Sequence, residues 1–327
     1  MELSGRPLFD NPVDASLFVA RPEADLVEAN CRDGINTLVL GGRGMGKTSL
    51  LRNVLFRLRE SGFPAVAVDA APAESPIDLL RLVSAALARP NLGAGRLNLA
   101  SAAGLGEVGA VLDELRALRK SVSAEGSPRT ALLIDLPPGV KMHQLFGRFR
   151  DEIWQLPLTW IVAAPRELRI ELLTPPANAF FEEVIELKPL DQRQQERLLS
   201  LRLAPGEVIP WRLPQEGESN PRRLLEIARE SLRSGEPLDS RLQAIADREL
   251  EVSQLGEPAA ALYSQLENYG PASASDEDLL GRLGWSRQRV VQVMQVLEGA
   301  GLVQGERLHG PSGRPRKVFR IVSPESR

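Results

Sequence analysis

The chain has few of the residues that build disulfides and zinc sites. Among its 327 residues it holds one cysteine, Cys31, and two histidines, His143 and His309. A single cysteine excludes an intramolecular disulfide and any cysteine-cluster site, and the two histidines are too far apart in sequence to suggest a zinc pair. We expect Cys31 to be a small apolar residue of the core. The chemistry of this chain has to come from other residue types.

Long apolar runs and a strong net charge are also absent. No run approaches the ~20 apolar residues that cross a membrane, and the first residues lack the apolar stretch of a signal peptide. We therefore expect a cytoplasmic protein with no membrane contact. The formal net charge is −3, with 43% hydrophobic and 25% charged residues, which is typical of a folded globular protein and argues against a general nucleic-acid binder. Any such activity requires a local concentration of basic residues.

What the chain does contain is a glycine-rich loop that fits the phosphate-binding pattern G-x-x-x-x-G-K-[ST]. The loop follows an apolar run, Thr37 to Leu40, and precedes a segment with apolar residues at helical spacing. Glycines let successive backbone N–H groups converge on a phosphate, and the following helix directs its positive dipole end to the same place. The residues expected to bind nucleotide here are Gly41, Gly42, Arg43, Gly44, Met45, Gly46, Lys47, Thr48 and Ser49.

Three side chains have specific expected roles in this site. Lys47 would reach the β- and γ-phosphates of ATP, and Thr48 would offer its hydroxyl to Mg²⁺. Asp135 ends an apolar run well after the loop, which is where an acid can hold the Mg²⁺ that bridges the phosphates. The sequence therefore predicts an ATP site with Mg²⁺ at Thr48 and Asp135, and a solvent-exposed acid at a strand end is the alternative reading of Asp135.

The fold class follows from the alternation of apolar runs with helical segments. Continuous apolar runs predict strands at 37–40, 65–69, 131–135, 160–164 and 184–187, and one of the intervening helices is expected from about Met142 to Gln155. This is the α/β pattern of a parallel sheet with helices on both faces. Ligands on such sheets collect at the carboxyl ends of the strands, where Gly41, Asp135 and Pro165 fall.

After residue 190 only helices are expected, up to the boundary at Gly256-Glu257-Pro258. Beyond it come a helix, a second helix with Ser275 as its expected cap, a tight turn, a long helix and two strands. That order is typical of a winged helix-turn-helix. We therefore expect an N-terminal segment at 1–35, a P-loop ATPase core at 36–189, a helical lid at 190–256 and a winged helix-turn-helix domain at 257–327.

With these motifs, the chain resembles AAA+ or STAND-type P-loop ATPases and is most similar to initiator-like, origin-recognition members with a C-terminal winged helix. Leu17 to Glu23 resembles the Phe-Val-Gly-Arg-Glu motif of that family, with Ala20 for the glycine and Pro22 inserted. Asn220-Pro221-Arg222 resembles its Gly-Asn-Pro-Arg, which implies that Arg222 is the sensor-two residue that reaches the γ-phosphate. The resemblance also implies assembly into homo-oligomers.

The resemblance identifies hydrolytic groups that are missing from their usual places. The family usually follows its Mg²⁺-binding acid with a second acid, whereas Leu136 follows Asp135. The family also has a polar residue, called sensor one, at the end of the strand that lies between the two nucleotide-binding strands. At that place this chain offers only Arg166. No arginine lies just before the fifth strand, where the family has its arginine finger. A finger could come from an unusual position, and a base from another acid; the candidates are Arg148, Arg150, Arg166 and Arg169 for the finger and Asp69 and Glu74 for the base. The catalytic candidates are therefore Asp135, Arg222 and Arg166, and we expect hydrolysis to be slow, partner-dependent or absent.

Basic residues concentrate near the C-terminus. Part of this set occupies the first turn of the expected long helix, which contacts base edges in helix-turn-helix docking, and arginine and glutamine suit guanine and adenine. The rest lies in a segment similar to the Gly-Arg-Pro-Arg wing of many bacterial winged-helix regulators. The residues expected to bind DNA are Ser286, Arg287, Gln288, Arg289, Arg314, Arg316 and Lys317.

The leading hypothesis is an ATP-binding protein whose nucleotide state gates the binding of double-stranded DNA, acting as a switch, loader or assembly platform. Two alternatives stay open. One is a STAND-like signalling scaffold whose winged helix binds a protein partner, and the other is an active DNA-stimulated ATPase.

Overall fold

The computed structural model of the chain describes residues 3, 8–88, 107–122, 129–138, 142–203, 213, 220–309 and 315–322. The chain divides into two compact units, which are described separately. The first comprises Met1–Ile209 with Ser219–Arg229, and the second comprises Pro210–Glu218 with Glu230–Arg327.

The first unit is organised around a parallel sheet. Its described strands are β1 Thr37–Gly41, β2 Ala65–Asp69, β3 Thr130–Asp135, β4 Leu158–Pro165 and β5 Glu183–Glu186. They are hydrogen-bonded in the order β2-β3-β4-β1-β5, and every pair is parallel. β4 therefore lies between the strand that leads into the glycine-rich loop and the strand that ends in Asp135. The predicted α/β fold with a parallel sheet is confirmed.

Helices cover both faces of this sheet. They are α1 Pro12–Ser16, α2 Pro22–Asp33, α3 Lys47–Glu60, α4 Pro76–Ala88, α5 Glu107–Val122, α6 His143–Arg148, α7 Arg150–Trp154, α8 Arg169–Leu173 and α9 Gln192–Arg202. Alternate residues of one strand belong to different apolar clusters: Leu38 and Leu40 pack in one, and Val39 packs in the other. Since successive strand residues point to opposite faces, both faces are buried, which is why each strand reads as a continuous apolar run.

One predicted helix is wrong in its extent. The expected helix from Met142 to Gln155 is two short helices, α6 and α7, that meet at Phe149. The N–H of Phe149 bonds to the carbonyl of Gln144 at 3.3 Å, five residues back, which interrupts the regular i to i−4 ladder. The break accompanies close packing, since a Cβ on Gly147 would lie 3.0 Å from the Pro176 side chain.

The second unit has its own core and its own small sheet. Helix α10 Pro221–Ser234 begins in the first unit and ends in the second. The elements that follow are α11 Leu238–Gln254, α12 Glu257–Tyr269, β6 Ala272–Ser273, α13 Glu277–Leu283, α14 Arg287–Gly299, β7 Val303–His309 and β8 Pro315–Ile321. The strands pair antiparallel in the order β6-β8-β7, and Val290, Met294 and Leu297 of α14 are buried against them. Three helices with this small sheet match the predicted winged-helix order.

Two local predictions for this unit need correction. Strand β6 was not expected, because two residues are too short to show a period; it pairs Ala272 with Phe319. Ser275 is not the cap of α13. Asp276 takes that position, because its backbone is extended and its carboxylate accepts hydrogen bonds from the N–H groups of Asp278 at 3.0 Å and Leu279 at 3.2 Å.

The scarce residues noted in the sequence are also placed. Cys31 is fully buried, as expected for a small core residue, and burial raises the pKa of its thiol to about 12. Within the described ranges, no three His, Cys, Asp or Glu side chains form a group that could hold a metal ion by themselves. None of the helices in those ranges combines the length and the apolar character needed to cross a bilayer.

Candidate functional site

The glycine-rich loop connects the end of β1 to the start of α3 through backbone that favours glycine. Gly44 has φ +82° and Gly46 has φ +93°, and other residues are strained in this left-handed region. The carbonyl of Gly46 accepts the N–H of Leu50 at 2.9 Å, which begins the helical hydrogen bonds of α3. The loop therefore ends directly on a helix N-terminus, where the peptide dipoles favour an anion.

Lys47 is the first residue of α3, and its side chain folds back over the loop. Its Nζ donates to the carbonyls of Gly41 at 2.7 Å and Gly42 at 3.0 Å. Burial lowers the pKa of Lys47 and the charge of Arg222 adds to this, while the nearby carboxylate of Asp135 opposes it. The ammonium group is thus held at the mouth of the loop, where a phosphate would offer it a stronger partner.

Thr48 and Asp135 are brought together across the sheet edge. The Thr48 hydroxyl donates to the Asp135 carboxylate at 2.5 Å, although the two residues are 87 positions apart. Burial raises the pKa of Asp135, and the bond from Thr48 and the charge of Lys47 oppose that shift. Hydroxyl and carboxylate oxygens are the ligands that Mg²⁺ accepts, with the rest of its shell taken from water and phosphates. These two residues therefore fit a Mg²⁺ ion that a nucleotide would share.

The position after Asp135 belongs to the core. Leu136 is buried, and its N–H donates to the carbonyl of Ala163 at 2.8 Å. The carboxylate adjacent to Asp135 is instead Asp69, its register partner at the end of β2. Asp69 is exposed and accepts the N–H of Ala71 at 3.0 Å. Its charge is a further cause of the raised pKa of Asp135.

The start of α10 lies directly on the glycine-rich loop, and both belong to the first unit. Asn220 Nδ2 donates to the carbonyl of Arg43 at 2.7 Å, and the backbone N–H of Arg222 lies 3.4 Å from the carbonyl of Gly44. A Cβ on Gly44 would come within 2.5 Å of Asn220 Oδ1, so the approach requires glycine. Arg222 is exposed and lines the same cavity as Lys47.

Arg166 does not line this cavity, and it is paired with an acid at the end of β5. It follows the end of β4, as expected, and forms an ion pair with Glu186 at 3.3 Å. Arg169 also pairs with Glu186. Among the described residues, Arg166 is not part of the cavity wall.

Arg21 belongs to the site although the sequence pattern assigned it no separate role. It is buried, with 5% of its surface exposed. Its guanidinium donates to the carbonyl of Met45 at 2.8 Å and to that of Lys188 at 2.5 Å. Burial lowers the pKa of Arg21. The arginine of the N-terminal family-like motif thus contacts the glycine-rich loop directly.

These groups surround a cavity of about 380 Å³ within the first unit. Its wall includes apolar side chains from the N-terminal segment, α9 and α10. It also includes six basic side chains and one acid, Glu226. The apolar residues are Leu8, Leu17, Phe18, Val19, Leu190, Leu198 and Leu225; the basic ones are Arg21, Lys47, Arg52, Arg202, Arg222 and Arg229. A molecule with a flat apolar part and several negative charges matches this wall.

The expected DNA-binding residues lie in the second unit. Ser286 caps α14 by accepting the N–H of Arg289 at 3.4 Å, so Arg287, Gln288 and Arg289 form the first turn, and all four are exposed. The Arg289 guanidinium lies 4.9 Å from the centre of the Trp285 ring. Arg314 lies outside the described residues.

The two acids of this surface are already paired. Glu298 accepts Lys317 Nζ at 2.7 Å, and Glu306 pairs with Arg320 at 3.1 Å. Lys317 also lies 4.8 Å from the centre of the Phe319 ring. Four arginines form no ion pair with any other described residue, and we call them the basic face: Arg287, Arg289, Arg307 and Arg316.

Comparison with solved structures identifies the fold. The chain superimposes on the Aeropyrum pernix ORC2 protein, solved in ADPNP and ADP complexes, with a TM-score of 0.50 and 14% identity over 94% of this chain and 91% of that one. The A. pernix ORC1 protein in complex with DNA gives a TM-score of 0.49 and 19% identity over 93% of this chain and 90% of that one. Cdc6p from Pyrobaculum aerophilum gives a TM-score of 0.47 and 15% identity over 97% of this chain and 92% of that one. No protein-family model and no curated protein matches the sequence. The resemblance to origin-recognition ATPases is thus confirmed as a shared fold.

Proposed function

We propose that this chain is a nucleotide-gated DNA-binding protein, which binds ATP with Mg²⁺ in the first unit and double-stranded DNA through the second. The observation that carries the nucleotide half is that Lys47 and Thr48 line a cavity with both apolar and basic side chains, while Asp135 accepts the Thr48 hydroxyl beside it. The nucleotide complexes of the A. pernix ORC2 protein, which shares this fold, favour the same ligand.

In the proposed complex the phosphates lie against the glycine-rich loop and the N-terminus of α3, and the base lies against apolar side chains that line the cavity. Thr48 and Asp135 hold Mg²⁺, which when bound neutralises phosphate charge. Lys47 turns from the carbonyls of Gly41 and Gly42 to the β- and γ-phosphates. Arg222, at the start of α10, reaches the γ-phosphate in this proposal, so residues 190–256 act as a lid that responds to a triphosphate.

Hydrolysis in this proposal is slow or depends on a partner. Leu136 cannot accept a proton from water, and its side chain is buried in the core. Arg166 is engaged by Glu186. A missing arginine finger alone removes about 10³–10⁵ in rate, which a second copy of the chain or another protein would have to supply. The ATP-bound form is then long-lived, as a switch requires.

The basic face carries the DNA half of the proposal. Its arginines are exposed and lack acidic partners in the described part of the chain, so phosphates can pair with them without breaking an existing ion pair. Arg287 and Arg289 occupy the first turn of α14, the part of a recognition helix that enters the major groove. Four phosphate contacts would give a log–log salt slope of about −3.6.

A titration of labelled duplex DNA with the full chain, with and without Mg²⁺-ATP, tests both halves. We expect tighter DNA binding with ATP, a salt slope of about −3.6 as calculated for four contacts, and a further gain at higher protein concentration if copies assemble. DNA affinity that is equal with ATP, with ADP and without nucleotide would rule out gating. Absence of duplex binding at low salt would rule out the DNA half and favour a protein partner for the second unit.

A further inference from the structure

The backbone carbonyls of the glycine-rich loop are all occupied by hydrogen-bond donors. Five successive carbonyls, from Gly41 to Met45, each accept a hydrogen bond. The donors are Lys47 Nζ to Gly41 at 2.7 Å and to Gly42 at 3.0 Å, Asn220 Nδ2 to Arg43 at 2.7 Å, the N–H of Arg222 to Gly44 at 3.4 Å, and Arg21 Nη1 to Met45 at 2.8 Å. Two of these donor side chains, Arg21 and Asn220, come from outside the loop.

This arrangement controls the direction of the amide groups. In a trans peptide the C=O and the following N–H point to opposite sides of the backbone. Asn220 and Arg21 hold the carbonyls of Arg43 and Met45 from outside the loop, and so direct the following N–H groups, those of Gly44 and Gly46, to the opposite side of the backbone, where a phosphate is expected. Glycine-rich backbone rotates easily, and a rotated peptide would present its oxygen to the anion. Donors that fix the carbonyls prevent this.

Arg21 is suited to hold the loop because it is itself fixed. It is buried, and its second nitrogen donates to the carbonyl of Lys188, just after β5. The neighbouring backbone N–H of Lys188 donates to Glu23 at 3.0 Å. One guanidinium thus connects the loop to a segment that is already tied to the beginning of α2.

Asn220 holds the loop and starts a helix with the same side chain. Its Oδ1 accepts the N–H groups of Arg222 at 3.1 Å and Arg223 at 3.3 Å, as a helix cap does. Its Nδ2 is then directed at the carbonyl of Arg43. The amide therefore couples the position of α10 to the conformation of the loop, independently of any γ-phosphate.

We propose that Arg21 and Asn220 are positioning residues, which preorganise the loop for phosphate by holding its carbonyls. The proposal rests on the proposed function, since it assigns how that same site obtains its affinity for phosphates. It differs from a general structural role in one respect: the loss should fall on the phosphate part of the ligand and leave the base part unchanged.

The test uses full-length Arg21→Met, Arg21→Lys and Asn220→Ser, with Arg116→Met as a matched control. Arg116 is an exposed arginine on α5 that pairs with Asp113 and does not line the cavity, so its replacement removes the same charge without removing a donor to the loop. Asn220→Ser keeps a good capping residue but removes the donor to Arg43. Binding of ATP, pyrophosphate and adenosine is measured by calorimetry, and amide exchange of residues 41–46 is measured without ligand.

We expect Arg21→Met and Asn220→Ser to weaken the binding of ATP and of pyrophosphate by about tenfold, in line with the loss of one charged or well-aligned hydrogen bond. The affinity for adenosine should be unchanged. Exchange in the loop should be faster in both variants. Arg21→Lys, which keeps one donor, should be intermediate, and Arg116→Met should match the wild type.

Several results would overturn the proposal. Equal losses for ATP and adenosine would indicate a general effect on the fold, and unchanged exchange in the loop would show that the carbonyls need no external donor. If wild-type protein bound no ATP at all, the proposed function would fail, while the exchange data would still decide whether these residues hold the loop. If Arg21→Met did not fold, Asn220→Ser would decide the question.

Discussion

The glycine-rich loop and the basic face of the second unit both suit negatively charged groups, yet they are built in opposite ways. In the loop, Lys47 is partly buried and every carbonyl from Gly41 to Met45 already has a donor. On the basic face, Arg287 and Arg289 are exposed and without acidic partners in the described residues. The loop suits a small anion of one shape, whereas exposed arginines suit an extended polyanion.

The difference has consequences for how each region responds to conditions. Exposed charges are screened by salt over a Debye length of about 8 Å at physiological ionic strength, so binding by the basic face should depend strongly on salt. Buried groups are screened less but carry a desolvation cost, which appears as the lowered pKa of Lys47 and the raised pKa of Asp135. The loop should therefore respond to pH more than to salt.

The largest expected effect separates the two regions completely. Lys47→Ala should lower ATP affinity by about 100-fold or more, because charged hydrogen bonds to two phosphates contribute about 1.5–3 kcal/mol each. It should leave nucleotide-free DNA affinity unchanged. Calorimetry with ATP and anisotropy with duplex DNA measure the two affinities.

The reciprocal variant, Arg287→Ala with Arg289→Ala, should lower DNA affinity and reduce the salt slope by about 2 while ATP affinity is unchanged. Any variant that lowers both affinities equally would break the comparison.

The pH dependence of ATP binding should show the buried character of the loop. Because the pKa of Asp135 is raised, its carboxylate becomes protonated at a higher pH than an ordinary aspartate as the solution is acidified. Mg²⁺-dependent ATP affinity should then fall by about tenfold for each pH unit below that pKa. At alkaline pH the lowered pKa of Lys47 limits binding in turn. Titrations with ATP across pH, with and without Mg²⁺, measure the pH range over which ATP binds tightly. If the Mg²⁺-dependent affinity fell only at the pKa of an ordinary aspartate, the prediction would be contradicted.

The same shift predicts the sign of a stability effect. A raised pKa means that the folded protein binds the proton on Asp135 more readily than the unfolded chain does. The cost of the ionised carboxylate is therefore present above the folded pKa and is relieved as the pH falls through it. Asp135→Asn should raise the Tm of nucleotide-free protein at neutral pH and abolish Mg²⁺-dependent ATP binding. Asp113→Asn on the exposed side of α5 is the control, and a lower Tm for Asp135→Asn would refute the argument.

The smallest expected effect tests the basic face itself. Arg316→Ala should reduce the salt slope of DNA binding by about 1, because a free arginine can release one counterion on pairing with a phosphate. Lys317→Ala should change the slope less, since Lys317 Nζ is already held by Glu298. Glu298→Gln should release the lysine and make the slope steeper. If Lys317→Ala had the larger effect, ion pairing within the molecule would not decide which cations bind DNA.

Much of the fold follows from local sequence patterns. The five strands lie at their predicted positions. The inner strands β1 and β4 are almost continuously apolar, because strands buried on both faces need apolar residues at nearly every position. Between residue 190 and Gly256 the described elements are the helices α9, α10 and α11, as expected. Where the prediction was wrong, at Phe149 and at strand β6, distant parts of the chain decide the conformation. Gly147 packs against Pro176, and Ala272 pairs with Phe319.

The candidate site divides in the same way. The loop from Gly41 to Thr48 is one continuous stretch of sequence, and so is the first turn of α14. The residue types and spacing of each could therefore be predicted without a structure. Asp135 was predictable because strand ends of a parallel sheet meet at one edge. Part of the apolar lining of the cavity was not predictable, since Leu8, Leu190 and Leu198 have no motif that distinguishes them from ordinary core residues.

By itself, therefore, the sequence determined the α/β fold class, the glycine-rich loop with Lys47 and Thr48, and the concentration of basic residues near the C-terminus. The tertiary structure alone decided which donors hold the loop and which cations are already paired. Arg21 meets a carbonyl 24 residues away and Asn220 one 177 residues away, while Glu298 meets Lys317 across 19 residues. Local patterns encode periodicity and charge, but a backbone carbonyl accepts a hydrogen bond from any donor that folding brings near it.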